Sequence, residues 1–231
     1  MLSELTQIDS HPWNVSPREA VVIQKKLAPL LRFPALSGPV RRVAGTDVSV
    51  SKGSDRVWAG AVVCSYPDLH VLDEAWSEGE SSFPYIPGFL SFREIPVLLE
   101  TLKQLKTRPD VILCDGQGTA HPRRMGLASH LGVLLDWPTI GCAKSRLIGE
   151  FSEVAHGKGS FSLLRHQEQV IGAAARTRSG VKPVFVSPGH RINLENSLEI
   201  VFRCSPTYRI PEPIRRAHNL VTRLKAERDC R

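Results

Sequence analysis

The chain has 231 residues, of which 42% are hydrophobic and 23% charged, and its net charge is +7. These values are typical of a globular protein, so they exclude a disordered or fibrous chain and favour one domain spanning residues 1–231. No run approaches the roughly 18 apolar residues of a membrane-spanning helix, so we expect no membrane partner.

The first half of the chain predicts a helix followed by three strands. Ser16 caps the helix together with Glu19, Pro17 occupies its first position, and it runs to about Leu31. Three β-rich runs follow, which predict an antiparallel meander: Arg41–Val50, Val57–Tyr66 and Leu69–Trp76. Residues 77–91 predict a loop, and a further helix runs to about Leu105.

The second half predicts parallel strands between helices. Residues 110–115 form a short apolar run typical of a fully buried strand, residues 122–135 a helix, and residues 138–144 another strand. Weaker strands are predicted near residues 169–176 and 183–187, and helices near 194–203 and 212–228. This order, an antiparallel meander followed by parallel strands with flanking helices, predicts an α/β mixed sheet of the ribonuclease H-like kind.

Two acidic residues lie on strands that this fold would make neighbours. Asp47 lies within the first strand and Asp115 ends the buried strand. If the two strands pair, both carboxylates project to one edge of the sheet and repel each other unless a cation lies between them. Mg²⁺ binds carboxylates together with substrate phosphate oxygens, which suggests metal-assisted phosphodiester hydrolysis. The alternative is that loop groups cap each acid and neither has a chemical role.

Three further polar residues each allow two interpretations. Glu94 either closes a capping box with Ser91 or faces the acid pair. Lys144, at the end of a strand, is either a surface lysine or reaches a phosphate. His218 lies beside the apolar stripe of the last helix, where it is either structural or catalytic.

The segment of residues 83–90 is apolar and contains two prolines. It either covers the core or forms a stiff tip that wedges between nucleic-acid bases. Gly116 and Gly118, after the buried strand, allow a ligand to approach the backbone closely. We expect no nucleotide cofactor, because neither a Gly-x-Gly-x-x-Gly nor a Gly-Lys-Ser/Thr motif occurs.

Basic residues concentrate near the end of the sequence. Residues 203–231 contain eight Arg or Lys and three acidic residues. This excess indicates a polyanionic partner such as nucleic acid, and the alternative is a solvated helix face.

The cysteines indicate a reducing compartment. Their number is odd and they form no Cys-x-x-Cys motif: Cys64, Cys114, Cys142, Cys204 and Cys230. The first residues also lack the pattern of a secretory signal. We therefore expect reduced, mostly buried thiols and a cytoplasmic protein.

Several segments together resemble the endonuclease V family, the deoxyinosine 3′ endonucleases. The matching segments are residues 84–94, 115–118, 121–130, 138–144 and 211–213. The resemblance implies a ribonuclease H-like fold and Mg²⁺-dependent hydrolysis, with Mn²⁺ expected to substitute, of the second phosphodiester bond 3′ to deoxyinosine. The products would carry a 3′-hydroxyl and a 5′-phosphate. The partner is then inosine-containing DNA, with RNA cleaved at the same site as the alternative, and we expect a monomer.

The resemblance also implies roles for individual residues. Asp47, Asp115 and Glu94 match the metal-binding acids, Lys144 matches the lysine near the scissile phosphate, and His218 falls where the family has a His or Asp near the metal. These five residues form the expected catalytic set. Tyr85 matches the residue that wedges into the base stack, and the other expected substrate-binding residues are Pro84, Ile86, Pro87, Gly88, Leu90, Gly116, His121 and Gly126.

Overall fold

The computed structural model describes residues 11–50, 55–81 and 83–229. Its helices are α1 (Pro17–Leu27), α2 (Leu90–Lys103), α3 (Leu127–Leu135), α4 (Leu194–Arg203) and α5 (Glu212–Asp229). Its strands are β1 (Arg42–Val50), β2 (Arg56–Ser65), β3 (Val71–Glu80), β4 (Val111–Cys114), β5 (Thr139–Ala143), β6 (Phe161–His166), β7 (Gln169–Ala175) and β8 (Val184–His190).

The eight strands form a mixed sheet in the order β3-β2-β1-β4-β5-β8-β7-β6. Strands β1 to β3 form an antiparallel meander, and β1, β4 and β5 are parallel to one another. Strands β8, β7 and β6 continue the sheet in antiparallel fashion. With helices on both faces, this confirms the predicted ribonuclease H-like α/β architecture.

Alternate residues of the central strands enter two cores on opposite faces of the sheet. Val43 in β1 and Leu113 in β4 pack with residues of α4 and α5. Their neighbours Ala44 and Ile112 pack with residues of α2 and α3. Because β4 is buried on both faces, its sequence is continuously apolar instead of alternating.

The predicted start of α1 is confirmed, whereas its end is earlier than expected. Ser16 and Glu19 form the capping box, with Pro17 in the first turn. The helix ends at Leu27 and a 3-10 turn spans residues 28–30, because Pro29 has no amide hydrogen to continue the α-helical pattern.

Other boundaries also differ from the predictions, and one strand was missed. Strand β3 continues to Glu80, paired with Arg56 of β2, so residues 77–80 are strand and not loop. Helix α3 begins at Leu127 and not at residue 122, because turns precede it and Arg124 has a φ of 59°. Strand β6 was not predicted, since Leu164 is its one buried residue and the alternation is weak.

Four cysteines are free and buried, as predicted: Cys64, Cys114, Cys142 and Cys204. Cys230 lies outside the described residues. Among the described helices, none is both long and apolar enough to cross a membrane.

Candidate active site

Asp47 and Asp115 meet at one edge of the sheet. Thr46 of β1 pairs with Cys114 of the parallel strand β4, and the Asp115 amide donates to the Thr46 carbonyl oxygen at 3.3 Å. The expected neighbourhood of the two strands is therefore confirmed. Burial, the charge of Asp115 and a hydrogen bond between the two carboxyl groups raise the pKa of Asp47 to about 6, although His218 opposes the shift.

Two basic side chains contact this acid pair. Lys144, immediately after β5, donates from Nζ to Oδ2 of Asp115. His218 of α5 places Nδ1 2.9 Å from Oδ2 of Asp47. Burial lowers the pKa of Lys144, but the hydrogen bond and the charge of Asp115 outweigh it and raise the pKa above its usual value. Four of the five expected catalytic residues thus form one connected group.

His218 reaches Asp47 because α5 begins directly against β1. A Cβ atom on Gly45 would lie 2.1 Å from the carbonyl carbon of Pro213, so only glycine allows this approach. In the first turns of α5, Arg215 and Arg216 both donate to Glu212. Two cations of the basic segment therefore already have an acidic partner on their own helix.

Glu94 lies on the buried side of α2, and the capping-box interpretation is wrong. The helix begins after Phe89, which provides no side-chain cap, so Ser91 lies within the first turn. The Ser91 hydroxyl instead contacts Nδ1 of His130 at 2.9 Å. Burial, followed by the negative charges of Asp47 and Asp115, raises the pKa of Glu94 well above its usual value.

The three carboxylates have the chemistry of a site for a hard divalent cation. Burial and mutual repulsion raise the pKa of Asp47 and Glu94, and a bound cation would relieve both effects. Within residues 11–50, 55–81 and 83–229, no three His, Cys, Asp or Glu side chains are positioned to bind one metal ion. Lys144 instead contacts one oxygen of Asp115, and His218 contacts one oxygen of Asp47. Metal binding by Asp47, Asp115 and Glu94 therefore stays a prediction.

A pocket of about 310 Å³ opens beside the acid pair. Asp115 and Lys144 belong both to its lining and to the acidic group. The other predicted residues that line it are Tyr85, Ile86, Pro87, Gly88, Leu90, Gly116, His121 and Gly126, whereas Pro84 does not. Sequence reasoning missed other lining residues, among them Gln117, Met125, Arg146 and Leu147, although three of these are close in sequence to Lys144 or Gly116.

The apolar segment of residues 83–90 is anchored at its ends and exposed in its middle. The ring of Phe83 is buried and stacks on Phe92 at 5.4 Å between centroids. Tyr85, by contrast, is 73% exposed. The core-cover interpretation is therefore correct for Phe83 and wrong for Tyr85.

His121 supports this loop in a fixed tautomer. Its Nδ1 accepts hydrogen bonds from the backbone amides of Arg123 and Met125 at 3.1 and 3.3 Å. The other nitrogen, Nε2, therefore carries the hydrogen and donates to the Gly88 carbonyl oxygen at 2.9 Å. Because burial lowers the pKa of His121 to about 4, the ring is neutral at pH 7.

Comparison with known proteins gives consistent matches over nearly the whole chain. The sequence model of endonuclease V matches residues 25–219. An endonuclease V of Methanothrix thermoacetophila is 54% identical over 210 residues, which cover 91% of this chain and 92% of that protein.

Two solved structures extend the match to three dimensions. The crystal structure of an endonuclease V from Streptomyces avermitilis has a TM-score of 0.89 at 44% identity and covers 94% of this chain and 96% of that one. Ciona intestinalis endonuclease V, solved in complex with a DNA containing an inosine followed by a ribo-adenosine, has a TM-score of 0.78 at 30% identity. That match covers 91% of this chain and 98% of the Ciona chain.

Proposed function

Because the chain belongs to the endonuclease V family and is thus a nuclease, we propose that it cleaves DNA at deoxyinosine, at the second phosphodiester bond 3′ to the lesion. The observation that carries the proposal is the pocket of about 310 Å³ that shares Asp115 and Lys144 with the acidic group. A pocket large enough for a base, beside residues that would hydrolyse a phosphodiester, suits an enzyme that recognises a base and cleaves the backbone nearby.

The pocket suits a purine that has left the base stack. Hypoxanthine carries a carbonyl where adenine has an amine, and it lacks the exocyclic amine of guanine. Gly88, Gly116 and Gly126 line the pocket, so the base edge would meet backbone groups that are sensitive to such differences. The exposed ring of Tyr85 lies at the same pocket and would fill the gap that the base leaves.

The proposed chemistry is hydrolysis at phosphorus. Water adds to the phosphorus atom, the bond to the 3′ oxygen breaks, and the products carry a 3′-hydroxyl and a 5′-phosphate. Mg²⁺, or Mn²⁺ in its place, held by Asp47, Asp115 and Glu94 would supply Lewis-acid activation and neutralise charge. Lys144 places a positive charge beside the acid pair, where the phosphate would lie, and His218 fixes the orientation of the Asp47 carboxylate.

Matched duplexes with deoxyinosine or adenine at one position test this function. We expect Mg²⁺-dependent cleavage of the inosine strand at the second bond 3′ to the lesion, and none in excess chelator. Asp115→Asn keeps the size of the side chain but removes its charge, so it should abolish cleavage while retaining inosine binding in Ca²⁺. Full cleavage by this variant, or cleavage in chelator, would contradict the proposal.

A second candidate is an endoribonuclease that uses the same site on inosine in RNA. The Ciona relative, whose bound strand carries a ribo-adenosine after the inosine, is the observation that favours it. Four oligonucleotides with a deoxy or ribo sugar at the inosine and at the next nucleotide separate the two candidates. A higher kcat/KM for the all-deoxy strand supports the DNA enzyme, and a higher value for the ribo strands supports the RNA enzyme.

A further inference from the structure

Gln24 joins two segments of the pocket wall without lining the pocket. Its side chain on α1 is fully buried. Nε2 donates to the carbonyl oxygen of Gly88 at 3.0 Å and to that of Met125 at 3.2 Å. Gly88 belongs to the loop that carries Tyr85, Met125 belongs to the turn before α3, and all three of these residues line the pocket. One amide group therefore sets the spacing between two separate parts of the chain.

The Gly88 carbonyl is the centre of this arrangement. Besides Gln24, it accepts from Nε2 of His121 at 2.9 Å and from Nη2 of Arg123 at 3.1 Å. Gly88 has a φ of 86°, and the turn around it is closed by a hydrogen bond from the Phe89 amide to the preceding Ile86 carbonyl at 3.0 Å. Three donors on one oxygen hold the tip of the loop against the body of the protein.

The orientation of the Gln24 amide is itself determined. Arg123 donates from Nε to Oε1 of Gln24, and its guanidinium lies 4.6 Å from the centre of the Phe89 ring. Reversing the amide would turn its oxygen toward two carbonyl oxygens and its NH₂ group toward a cation. The Gln24 amide therefore has one orientation that satisfies its hydrogen bonds, and in that orientation it donates to the carbonyl oxygens of both Gly88 and Met125.

We propose that Gln24 is a positioning residue for base recognition, which fixes the width of the pocket that receives the flipped purine. The inference rests on the proposed function, and it concerns a residue one position before the segment matched by the family model. The pocket can distinguish purines that differ by one exocyclic group only through small differences in how each base fits the pocket. If the two pocket-lining segments could move apart, the pocket would accept all of these purines. Discrimination between them therefore requires a fixed spacing of the two segments.

Gln24→Met is the direct test, because methionine keeps the length and burial of the side chain but donates no hydrogen bond. We expect the ratio of inosine to adenine duplex affinity, measured in Ca²⁺, to fall about tenfold, the scale of one or two hydrogen bonds. In Mg²⁺ the loss should appear in KM more than in kcat. Amide hydrogen exchange should become faster in residues 83–92 and 121–127.

Thr101→Val is the matched control. Thr101 is also fully buried and also donates to two backbone carbonyls, those of Val97 and Ala59, at 2.9 and 3.4 Å, but neither of these partners lines the pocket. The Thr101→Val substitution should lower the Tm without changing the preference for inosine over adenine. Arg123→Met, at a partly exposed position, removes another donor to Gly88 and should shift the base preference in the same direction as Gln24→Met.

The inference is overturned if Gln24→Met and Arg123→Met keep the wild-type base preference and show loop exchange no faster than Thr101→Val. If the wild-type protein itself shows no inosine preference, the proposed function fails. The exchange rates still decide whether Gln24 holds the two segments, so the two failures are distinguishable.

Discussion

Tyr85 exposes an aromatic ring beside a pocket that contains the candidate catalytic residues. Such a ring stabilises a gap in the base stack by about 1–3 kcal/mol. Tyr85→Ala should therefore weaken binding to an inosine duplex by about 5- to 150-fold, whereas Tyr85→Phe, which keeps the ring, should bind nearly as well as the wild type. Binding titrations in Ca²⁺ with both variants measure the difference.

Single-stranded inosine substrates provide the control for Tyr85. Less unstacking is needed there, so Tyr85→Ala should lose less affinity than on a duplex. Because the ring is exposed, the Tm should hardly change. A variant with a clearly lower Tm and an unchanged inosine-to-adenine ratio would show that Tyr85 stabilises the fold and does not act as a wedge.

Asp47 should make the metal-free protein less stable as the pH rises. Its pKa is raised to about 6, so the folded protein binds this proton more tightly than the unfolded chain does. The resulting stabilisation is present below about pH 4 and is lost as the pH rises through about 6. Its full size is about 3 kcal/mol, by the conversion of about 1.4 kcal/mol per pKa unit.

Asp47→Asn removes this contribution together with the part of the raised pKa of Glu94 that the Asp47 charge causes. His121, whose lowered pKa acts in the opposite direction over a similar range, is common to both proteins. In chelator, urea unfolding should show the variant gaining stability relative to the wild type between pH 4.5 and about pH 7.5. Adding Mg²⁺ at the higher pH should stabilise the wild type more than the variant. A stability difference independent of pH would contradict the assigned pKa shift.

Helices and strands that depend on local sequence patterns could be predicted. Helix ends and strands that depend on contacts between distant residues could not. The cap of α1 and the apolar strand β4 follow from adjacent residues. Helix α2 begins after Phe89, which provides no side-chain cap and whose ring lies near that of Phe83. The sequence cannot show that Ser91 then contacts His130. Edge strand β6 lacks a clear alternation because one of its faces has little to pack against.

The candidate site divides in the same way. The proximity of Asp47 and Asp115 follows from the strand order, which the fold class predicts. Gln24 carries no local signal, because its two carbonyl partners are 64 and 101 positions away.

The docking of α5 against β1 predicts a severe effect of Gly45→Ala. The added Cβ would lie within 2.3 Å of backbone atoms of Pro213 and Ile214, which cannot turn aside as a side chain can. Overpacking of this kind costs about 1–3 kcal/mol or more, and α5 must move, which separates His218 from Asp47. We expect a lower Tm and a larger loss of cleavage than the loss of stability alone explains.

Gly157→Ala is the control for this substitution. A Cβ atom at Gly157 would have its nearest neighbour, Oγ of Ser160, at 3.8 Å, so its Tm should stay close to that of the wild type. Equal Tm values for the two alanine variants would mean that α5 does not lie against β1 as described.

At the scale of the whole molecule, the sheet runs without interruption from β3 to β6, and both cores are built on the same central strands. Neither core can lose its strands without exposing the other. We therefore propose that the chain unfolds as one cooperative unit, in keeping with the single domain predicted from its length.

The buried cysteines make this cooperativity measurable. Cys114 lies in the core beneath α2 and α3, whereas Cys64 and Cys204 lie in the core beneath α4 and α5. Burial raises the pKa of Cys114 to about 12 and that of Cys64 to about 11, so in the folded protein these thiols are closed to solvent and poor in the reactive thiolate. In a Cys230→Ser background, thiols of both cores should become reactive over the same urea range, coincident with the change in tryptophan fluorescence. Labelling of Cys204 at a clearly lower urea concentration than Cys114 would show that the two faces of the sheet unfold separately, which would contradict the proposed single cooperative unit.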